Sequence, residues 1–239
     1  MHVFYQPNLL LDEICLSEDE SKHAIRVLRM QVGSIIDLTN GKGLHAQARV
    51  IDANPKKCIA VITNKEQHQP KRNFYLHVAV APTKNFDRIE WAIEKLTEIG
   101  IDEISFVETK NSERNKINLE RCYKIATSAM KQSKQWYLPQ INNIMPLHEF
   151  FKAPLNADIK LLAWCETNKL YNLSEQFNSN SIQQKRILVL IGPEGDFTSS
   201  EVSLAGLAGF TPLWLGGTIL RTETAAVVAC VQIHQCAIK

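Results

Sequence analysis

The sequence predicts an α/β protein with two domains, a small N-terminal β-barrel and a C-terminal parallel sheet covered by helices on both faces. Three observations carry this prediction. Short β-rich segments separated by turn pairs fill residues 1–66, and apolar strands alternate with amphipathic helices from residue 74 onward. The polar stretch KEQHQPKRN at 65–73 separates the two patterns, so we expect domains at residues 1–68 and 73–239.

Composition is that of an ordinary folded protein. The chain has 239 residues, of which 45% are hydrophobic and 22% charged, and its formal net charge is +2. No window reaches the roughly 18 apolar residues of a membrane span, so we expect a soluble, cytoplasmic protein. The six cysteines form no CxxC pair and the seven histidines are dispersed. We therefore expect buried, reduced thiols and no metal site.

The N-terminal domain is predicted to carry one helix among its strands. Strands are expected at 34–40, 45–52 and 57–63, separated by the turn pairs Asn40-Gly41 and Asn54-Pro55. The segment Ser17–Met30 has the pattern of a helix. Ser17 and Glu20 form a capping box at its start, and Gly33 follows as a stop signal. Ala24, Val27 and Leu28 form its apolar face.

The C-terminal domain alternates between strands and helices. Predicted strands lie at 74–81, 104–109, 160–165, 187–192 and 212–216, and predicted helices lie at 86–100, 119–135, 200–208 and 222–236. Such alternation is typical of a parallel sheet, in which ligands bind beyond the carboxyl ends of the strands.

Two of these strands end in glycine turns that each start a helix. The turns are IGPEGDFTSSE at 191–201, where Thr198 and Glu201 form a capping box, and LGGTILRTETAA at 215–226. Glycine exposes main-chain amides to a flat ligand. A Gly-Pro-Glu-Gly turn alone is better explained as a tight strand-to-helix connection, but the coincidence of two such turns after apolar strands favours a binding site. Neither turn matches a phosphate-binding loop, so phosphate binding is only weakly supported. Binding of an adenosine-bearing ligand by backbone atoms stays open.

At these residues the chain resembles a known family. LIGPEGDFT and LGGTILRTETAA, with HAIRVLRMQVG at 23–33 and RIEWAIEKLTEIGI at 88–101, are similar to the signature of the ribosomal small subunit methyltransferase E family of SPOUT-class enzymes. The resemblance spans nearly the whole chain. It implies a PUA-like N-terminal β-barrel, a C-terminal α/β domain with a trefoil knot, S-adenosylmethionine as cofactor and a homodimer. It also implies methylation of uridine N3 in 16S ribosomal RNA, and we expect that RNA to be bound within the assembled 30S subunit.

The resemblance also implies which residues bind the cofactor. They lie at the ends of three strands and in the two glycine turns: Leu162, Trp164, Ile191, Gly192, Pro193, Glu194, Gly195, Leu215, Gly216, Ile219, Leu220, Arg221 and Thr222. Two positions depart from the family pattern. Asp196 stands where a second glycine is usual, and Thr218 stands where an arginine is common.

Arg221 and Glu223 are the candidate catalytic residues. Uridine N3 carries a proton that it must lose before it attacks a methyl group. Arg221 is expected to stabilise negative charge on the flanking uracil carbonyls. Glu223 is the candidate proton acceptor, although an acid in the first turn of a helix is equally explained by the helix dipole.

RNA contact requires local positive charge. Residues 110–134 carry seven basic side chains against two acidic ones. The candidate RNA-binding residues are Lys22, Arg26, Arg29, Arg114, Lys116 and Lys131. For any one lysine a solvated helix face is the better explanation. Two other functions stay open, a non-catalytic dimeric RNA-binding protein of ribosome assembly and an enzyme that uses a different nucleotide cofactor.

Overall fold

The computed structural model describes residues 2–70, 72–165 and 182–238, without the side chain of residue 238. The described chain forms two compact units. The N-terminal unit comprises Met1–Lys71 together with Thr127–Leu138, and the C-terminal unit comprises Arg72–Ala126 together with Pro139–Lys239.

The N-terminal unit is a five-stranded sheet with one short helix. Its elements are β1 (Val3–Tyr5), β2 (Glu13–Cys15), α1 (Glu18–Lys22), a π-helical turn (His23–Val27), β3 (Ile35–Thr39), β4 (Leu44–Asp52) and β5 (Ile59–Gln67). The strand order is β1-β3-β4-β5-β2, with β1 parallel to β3 and the other pairs antiparallel. The Gln6 side-chain amide donates to the Cys15 carbonyl at 3.2 Å, so the two edges of the sheet approach each other there.

Strand alternation places one face of this sheet in the core. Ile36 and Leu38 of β3 pack with Ala46, Ala48 and Val50 of β4, because residues two apart on a strand share a face. β1 and β2 are too short to show this alternation, and for that reason the sequence pattern missed them.

The predicted helix over Ser17–Met30 is wrong in its second half. Ser17 caps α1 by accepting from the Glu20 amide, but α1 ends at Lys22 and a π-helical turn follows. The wider turn rotates the later residues, so Val27 is exposed rather than buried. Arg29 then takes a positive φ of 54°, which ends the helical path before Gly33.

Thr127–Leu138 belongs to the N-terminal unit because it covers the outward face of β3 and β4. The Trp136 ring stacks on the His45 ring with centroids 4.2 Å apart, and the main-chain carbonyl of Trp136 accepts from the Thr39 hydroxyl. Thr39 is fully buried although it faces away from the core. Strand β5 also continues to Gln67, so the segment predicted as a linker begins inside the sheet.

The C-terminal unit is a six-stranded sheet with helices between the strands. Its strands are β6 (Tyr75–Val80), β7 (Glu103–Glu108), β8 (Gln140–Pro146), β9 (Ile159–Ala163), β10 (Arg186–Ile191) and β11 (Thr211–Leu213). Its helices are α2 (Phe86–Ile99), α4 (Leu147–Lys152), α5 (Ser199–Leu207) and α6 (Thr222–Ile238), together with α3 (Leu119–Gln132) as far as Ala126. The pattern had missed β8 and α4.

All neighbouring strands of this sheet run parallel. Their order is β11-β9-β10-β6-β7-β8, which confirms the predicted architecture. β10 lies in the middle of the sheet, and its last five residues are buried. The loops after β9, β10 and β11 therefore leave the same edge of the sheet side by side.

Helix ends match their sequence signals in the C-terminal unit. The predicted capping box at the start of α5 is present, with Thr198 and Glu201 bonded reciprocally. At the other end, the Gly209 amide donates to the Gly206 carbonyl and the Phe210 amide donates to the Ala205 carbonyl. This is a Schellman motif, and it explains the positive φ of 85° at Gly209.

The cysteines follow the prediction only in part. Cys58, Cys122, Cys230 and Cys236 are buried, whereas Cys15 and Cys165 are exposed. Burial raises the pKa of Cys122 to about 11 and that of Cys230 to about 12, so these thiols stay protonated at neutral pH. Among the described helices, none is both long enough and apolar enough to cross a membrane.

Two glycines at the end of α5 allow the free-energy cost of a left-handed backbone conformation to be measured apart from steric crowding. A Cβ at Gly206 or at Gly209 would meet no atom within 4 Å, but only Gly209 has a positive φ. We expect Gly209→Ala to lower the free energy of unfolding by about 1 kcal/mol. Gly206→Ala should leave it unchanged or raise it by up to about 1 kcal/mol. Urea unfolding measures both, and equal effects would contradict this account of the helix end.

Candidate functional site

The two glycine turns line one cavity at the carboxyl edge of the parallel sheet. Its volume is about 430 Å³, within the range of small-molecule sites. The walls come from the ends of β9, β10 and β11 and from the segments that follow them. They comprise Ala163, Trp164, Cys165, Ile191, Gly192, Pro193, Glu194, Asp196, Leu213, Trp214, Leu215, Gly216, Gly217, Thr218, Ile219, Leu220, Arg221, Thr222 and Ala225.

One buried hydrogen bond joins the two turns. The Thr222 hydroxyl donates to the Gly192 carbonyl at 2.9 Å. Thr222 is the first residue of α6, so the bond fixes the start of that helix against the end of β10. Since Gly192 and Thr222 are both buried, the bond is shielded from water and keeps the cavity's two sides together.

The turn after β10 is held closely by its neighbours. A Cβ at Gly192 would come within 2.9 Å of the Phe197 ring, which lies in the core. The Asn111 side-chain amide donates to the carbonyls of Gly195 and Asp196 at 2.8 and 2.9 Å. The turn therefore has little freedom to move, and its shape exists before any ligand arrives.

Asp196 stabilises this turn from within. It takes a positive φ of 54°, a left-handed conformation that favours glycine and that Asp adopts more readily than most other residues. Its carboxylate accepts from the Phe197 amide at 2.8 Å and from the Cys165 amide at 3.2 Å. These two backbone hydrogen bonds, one of them to the segment after β9, stabilise that conformation.

Arg221 is the cation of the cavity wall. Its side chain is exposed, and it forms no hydrogen bond or ion pair with the described part of the chain. Thr218 is an exposed wall residue of the same loop. Arg221 is therefore available to a second ligand.

Glu223 does not line the cavity. Its side chain is only 9% exposed, and one carboxylate oxygen lies 4.0 Å from Nε of Arg88. The other oxygen, Oε2, is buried and has no hydrogen-bond partner within the described ranges. A direct contact of Glu223 with substrate is therefore not supported by this geometry.

Arg88 links Glu223 to the cavity wall. Nη1 of Arg88 lies 3.5 Å from Oε1 of Glu194, which lines the cavity and whose side chain is 39% exposed. One guanidinium thus lies between two carboxylates, one on the turn after β10 and one in the first turn of α6. Sequence reasoning assigned Arg88 no role, although the residue begins the quoted motif RIEWAIEKLTEIGI; only the fold brings the start of α2 to this edge.

Most residues predicted to bind the cofactor come together in the cavity wall. Leu162 and Gly195 do not. Leu162 points into the core beneath the cavity and is 3% exposed, because the wall begins one residue later on β9. Gly195 lies at the outer bend of its turn. The wall residues that the prediction missed are Ala163, Cys165, Asp196, Leu213, Trp214, Gly217, Thr218 and Ala225.

Several basic side chains in the region expected to contact RNA form ion pairs, which a count of charges did not reveal. Lys131 pairs with Glu20 at 2.7 Å, Lys124 pairs with Glu120 at 2.7 Å, and Arg121 pairs with Glu90. Two of these acids lie outside residues 110–134, so the local positive excess is smaller than that window indicated.

The remaining candidates differ in their surroundings. In the N-terminal unit, Lys22 pairs with Glu18 at 2.7 Å, while Arg26 and Arg29 are exposed. In the C-terminal unit, the Arg114 guanidinium lies 5.2 Å from the centre of the Phe86 ring, and Lys116 is exposed. Arg26, Arg29 and Lys116 are thus the candidates most available to a phosphate.

Comparison with known proteins adds an independent line of evidence. Residues 70–234 match the family described as RNA methyltransferase domain, and residues 16–63 match the family described as RNA methyltransferase PUA domain. The ribosomal RNA small subunit methyltransferase E of Buchnera aphidicola subsp. Acyrthosiphon pisum is 30% identical over 95% of this chain and 90% of its own length.

Solved structures agree. A probable rRNA-methyltransferase from Porphyromonas gingivalis is 39% identical, with a TM-score of 0.88 over 100% of this chain and 99% of its own. A putative methyltransferase from Legionella pneumophila, solved with the bound cofactor SAM, is 26% identical, with a TM-score of 0.86 over 98% of this chain and 96% of its own. The predicted fold class, a SPOUT α/β knot with a PUA-like N-terminal domain, is confirmed. Matched over nearly its full length, the chain belongs to the ribosomal RNA small subunit methyltransferase E family.

Proposed function

We propose that this protein is an S-adenosylmethionine-dependent methyltransferase that modifies N3 of a uridine in 16S ribosomal RNA. The observation that carries the proposal is the single cavity formed by both glycine turns and joined by the Thr222 to Gly192 hydrogen bond. The relative from Buchnera aphidicola is named for ribosomal RNA of the small subunit, and the Legionella pneumophila protein binds SAM.

The cavity fits an adenosine-bearing sulfonium compound. Apolar walls from Trp164, Ile191 and Leu215 suit a flat base, and main-chain groups of the two turns are left to hydrogen-bond its edge. The glycine at 192 keeps this wall close to the core, because a Cβ there would collide with Phe197. Glu194 in the wall supplies negative charge toward a positive sulfonium. When bound, that compound supplies an electrophilic methyl group.

Arg221 is the residue that we propose for transition-state stabilisation. Uridine N3 becomes nucleophilic when it loses its proton, and the negative charge spreads onto the two flanking carbonyl oxygens. The Arg221 guanidinium, which lies in the cavity wall and has no side-chain partner among the described residues, stabilises that charge and lowers the pKa of N3. As N3 forms its bond to the methyl carbon, the carbon–sulfur bond breaks and its electron pair stays on sulfur.

Glu223 is better described as a positioning residue than as the proton acceptor. Its carboxylate is buried beside Arg88 and lies outside the wall. Arg88 in turn faces Glu194, so Glu223 helps to set where Arg88 and Glu194 lie. The proton of N3 then passes to water or to a carboxylate of the wall.

The biological setting of the proposal is the cytoplasm, with the assembled 30S subunit as substrate and a homodimer as the active form. Exposed apolar side chains in the C-terminal unit support self-association. Trp91, Ile219 and Val231 are 43%, 85% and 38% exposed, and contact with a second copy would remove such surface from water. Exposed Arg26, Arg29 and Lys116 are available for RNA phosphates.

The first test separates an enzyme from a non-catalytic RNA-binding protein. We expect S-adenosylmethionine to raise the melting temperature of the purified protein, because a ligand that binds only the folded state stabilises it. Mass mapping should then find one new methylated uridine in 30S subunits from cells that lack this protein, after incubation with protein and cofactor. Protein without cofactor is the control. Stabilisation by RNA but not by S-adenosylmethionine would favour the non-catalytic alternative.

The second test concerns the bond between the turns. Thr222→Val keeps the side-chain shape but leaves the Gly192 carbonyl unsatisfied, so we expect a loss of about 1–3 kcal/mol in unfolding free energy. The dissociation constant for S-adenosylmethionine should rise by about tenfold in calorimetry. Thr63→Val is the matched control, because the exposed Thr63 hydroxyl also donates to a main-chain carbonyl, that of Gln47 at 3.2 Å, but lies in the N-terminal unit; it should change neither value. Unchanged cofactor affinity in Thr222→Val would show that this bond does not contribute to cofactor binding.

The third test separates catalysis from positioning. Arg221→Ala should lower kcat by about 100-fold or more with cofactor affinity nearly unchanged, and should move the rise of kcat with pH to higher pH. The shift has this sign because loss of the positive charge raises the pKa of N3. Glu223→Gln should lower kcat without changing the shape of the pH profile. Loss of the profile's low-pH limb in Glu223→Gln would instead make Glu223 the proton acceptor.

A further inference from the structure

A second cluster of ligand-type side chains lies in the N-terminal unit. His45, Glu66 and His68 place one nitrogen or oxygen atom each within 4.8 Å of one another. Their proximity follows from the sheet. His45 on β4 pairs directly with Glu66 on β5, and His68 lies two residues beyond Glu66, so all three share the outward face.

Asp37 orients the His45 ring. The His45 Nε2–H donates to Oδ1 of Asp37 at 2.8 Å, and both side chains are largely buried, at 14% and 10% exposed. In a neutral imidazole that donates through Nε2, Nδ1 carries the lone pair that can bind a metal ion. This carboxylate–histidine arrangement is the one that orients metal-binding histidines in proteins.

His68 has a buried nitrogen with no hydrogen-bond partner among the described residues. Its Nε2 is inaccessible to solvent and forms no hydrogen bond with any described residue, and it lies 3.6 Å from Oε2 of Glu66. Leaving a buried polar atom unsatisfied is costly, so such an atom indicates a missing partner. The donor set here is two imidazoles and one carboxylate.

The position of His68 is fixed by its backbone and by Trp136. The His68 amide donates to the Gly43 carbonyl at 2.9 Å, and the His68 carbonyl accepts from the Tyr137 hydroxyl at 2.8 Å. The Trp136 ring stacks on both imidazoles, with centroids 4.2 Å from His45 and 5.2 Å from His68. Two of the three ligand side chains are therefore held in place before an ion binds.

We propose that His45, Glu66 and His68 bind a divalent transition-metal ion, with Zn²⁺ as the best fit and Asp37 orienting His45. Imidazole suits Zn²⁺, and two histidines with one carboxylate form a known three-ligand set that leaves a fourth position for water. The ion would tie β4 to the end of β5. Sequence spacing indicated no metal site because strand pairing alone brings His45 to Glu66 and His68.

The geometry requires one movement. Tetrahedral zinc with bonds of about 2.0–2.1 Å places its ligand atoms roughly 3.3 Å apart, closer than the 4.8 Å limit within which these atoms lie. Glu66 is 61% exposed, so its side chain is free to close on the ion. His45 and His68 would keep their present stacking on Trp136.

The test uses the full-length protein after dialysis against a chelator. Zn²⁺ titrated in a calorimeter should bind at one site per chain and raise the melting temperature. Glu66→Gln and His68→Gln should each weaken binding by at least tenfold. His148→Gln is the matched control, since His148 faces Glu149 at 3.9 Å in an exposed pair without a third ligand, and it should bind Zn²⁺ like the original protein.

Cobalt identifies the ligands independently of stability. Co²⁺ in the same site should give the visible absorption of a four-coordinate nitrogen and oxygen site, and this absorption should disappear in Glu66→Gln. A sulfur-to-cobalt charge-transfer band would assign binding to a cysteine and overturn the proposal. So would Zn²⁺ affinity that is equal in the original protein, Glu66→Gln and His68→Gln, or an absence of binding in all three.

Discussion

The site depends on a hydrogen bond between two segments 30 residues apart, from the Thr222 hydroxyl to the Gly192 carbonyl. Parallel strands deliver both segments to one edge of the sheet, but nothing in strand pairing fixes their separation beyond that edge. The buried bond does so, and it also sets where α6 begins. α6 then packs against α2, β6 and β10, so the cavity wall is continuous with the core. A ligand site made mainly of backbone atoms requires this rigidity, because main-chain groups cannot reorient as long side chains do.

Charge in the site runs from the cavity wall to a buried carboxylate. Arg221 lies in the wall, and its side chain has no partner among the described residues. Arg88 lies between Glu194, which also lines the wall, and Glu223, whose side chain is nearly completely buried. Removing Arg88 would leave the buried Glu223 carboxylate without its cation, so this part of the site is constrained by stability as well as by chemistry.

The sequence predicted the large elements and the two turns, because long apolar strands, capping residues and glycines act locally. The sequence did not predict the residues whose role depends on the fold. Arg88 reaches the site through the start of α2, and Trp136 covers β3 and β4 from a distant part of the chain. The π-helical turn after Lys22 broke the regular period on which the placement of Val27 relied. The count of charges over residues 110–134 treated Lys131 as an unpaired charge, because its partner Glu20 is remote in sequence.

The central claim is that the turns at 192–197 and 214–222 together enclose S-adenosylmethionine. Amide hydrogen exchange with and without this compound tests it residue by residue. The account predicts that added S-adenosylmethionine slows exchange at both turns and at the first turn of α6, and leaves the N-terminal unit unchanged. Slowed exchange at only one turn, or at a surface away from the carboxyl edge of the sheet, would contradict it.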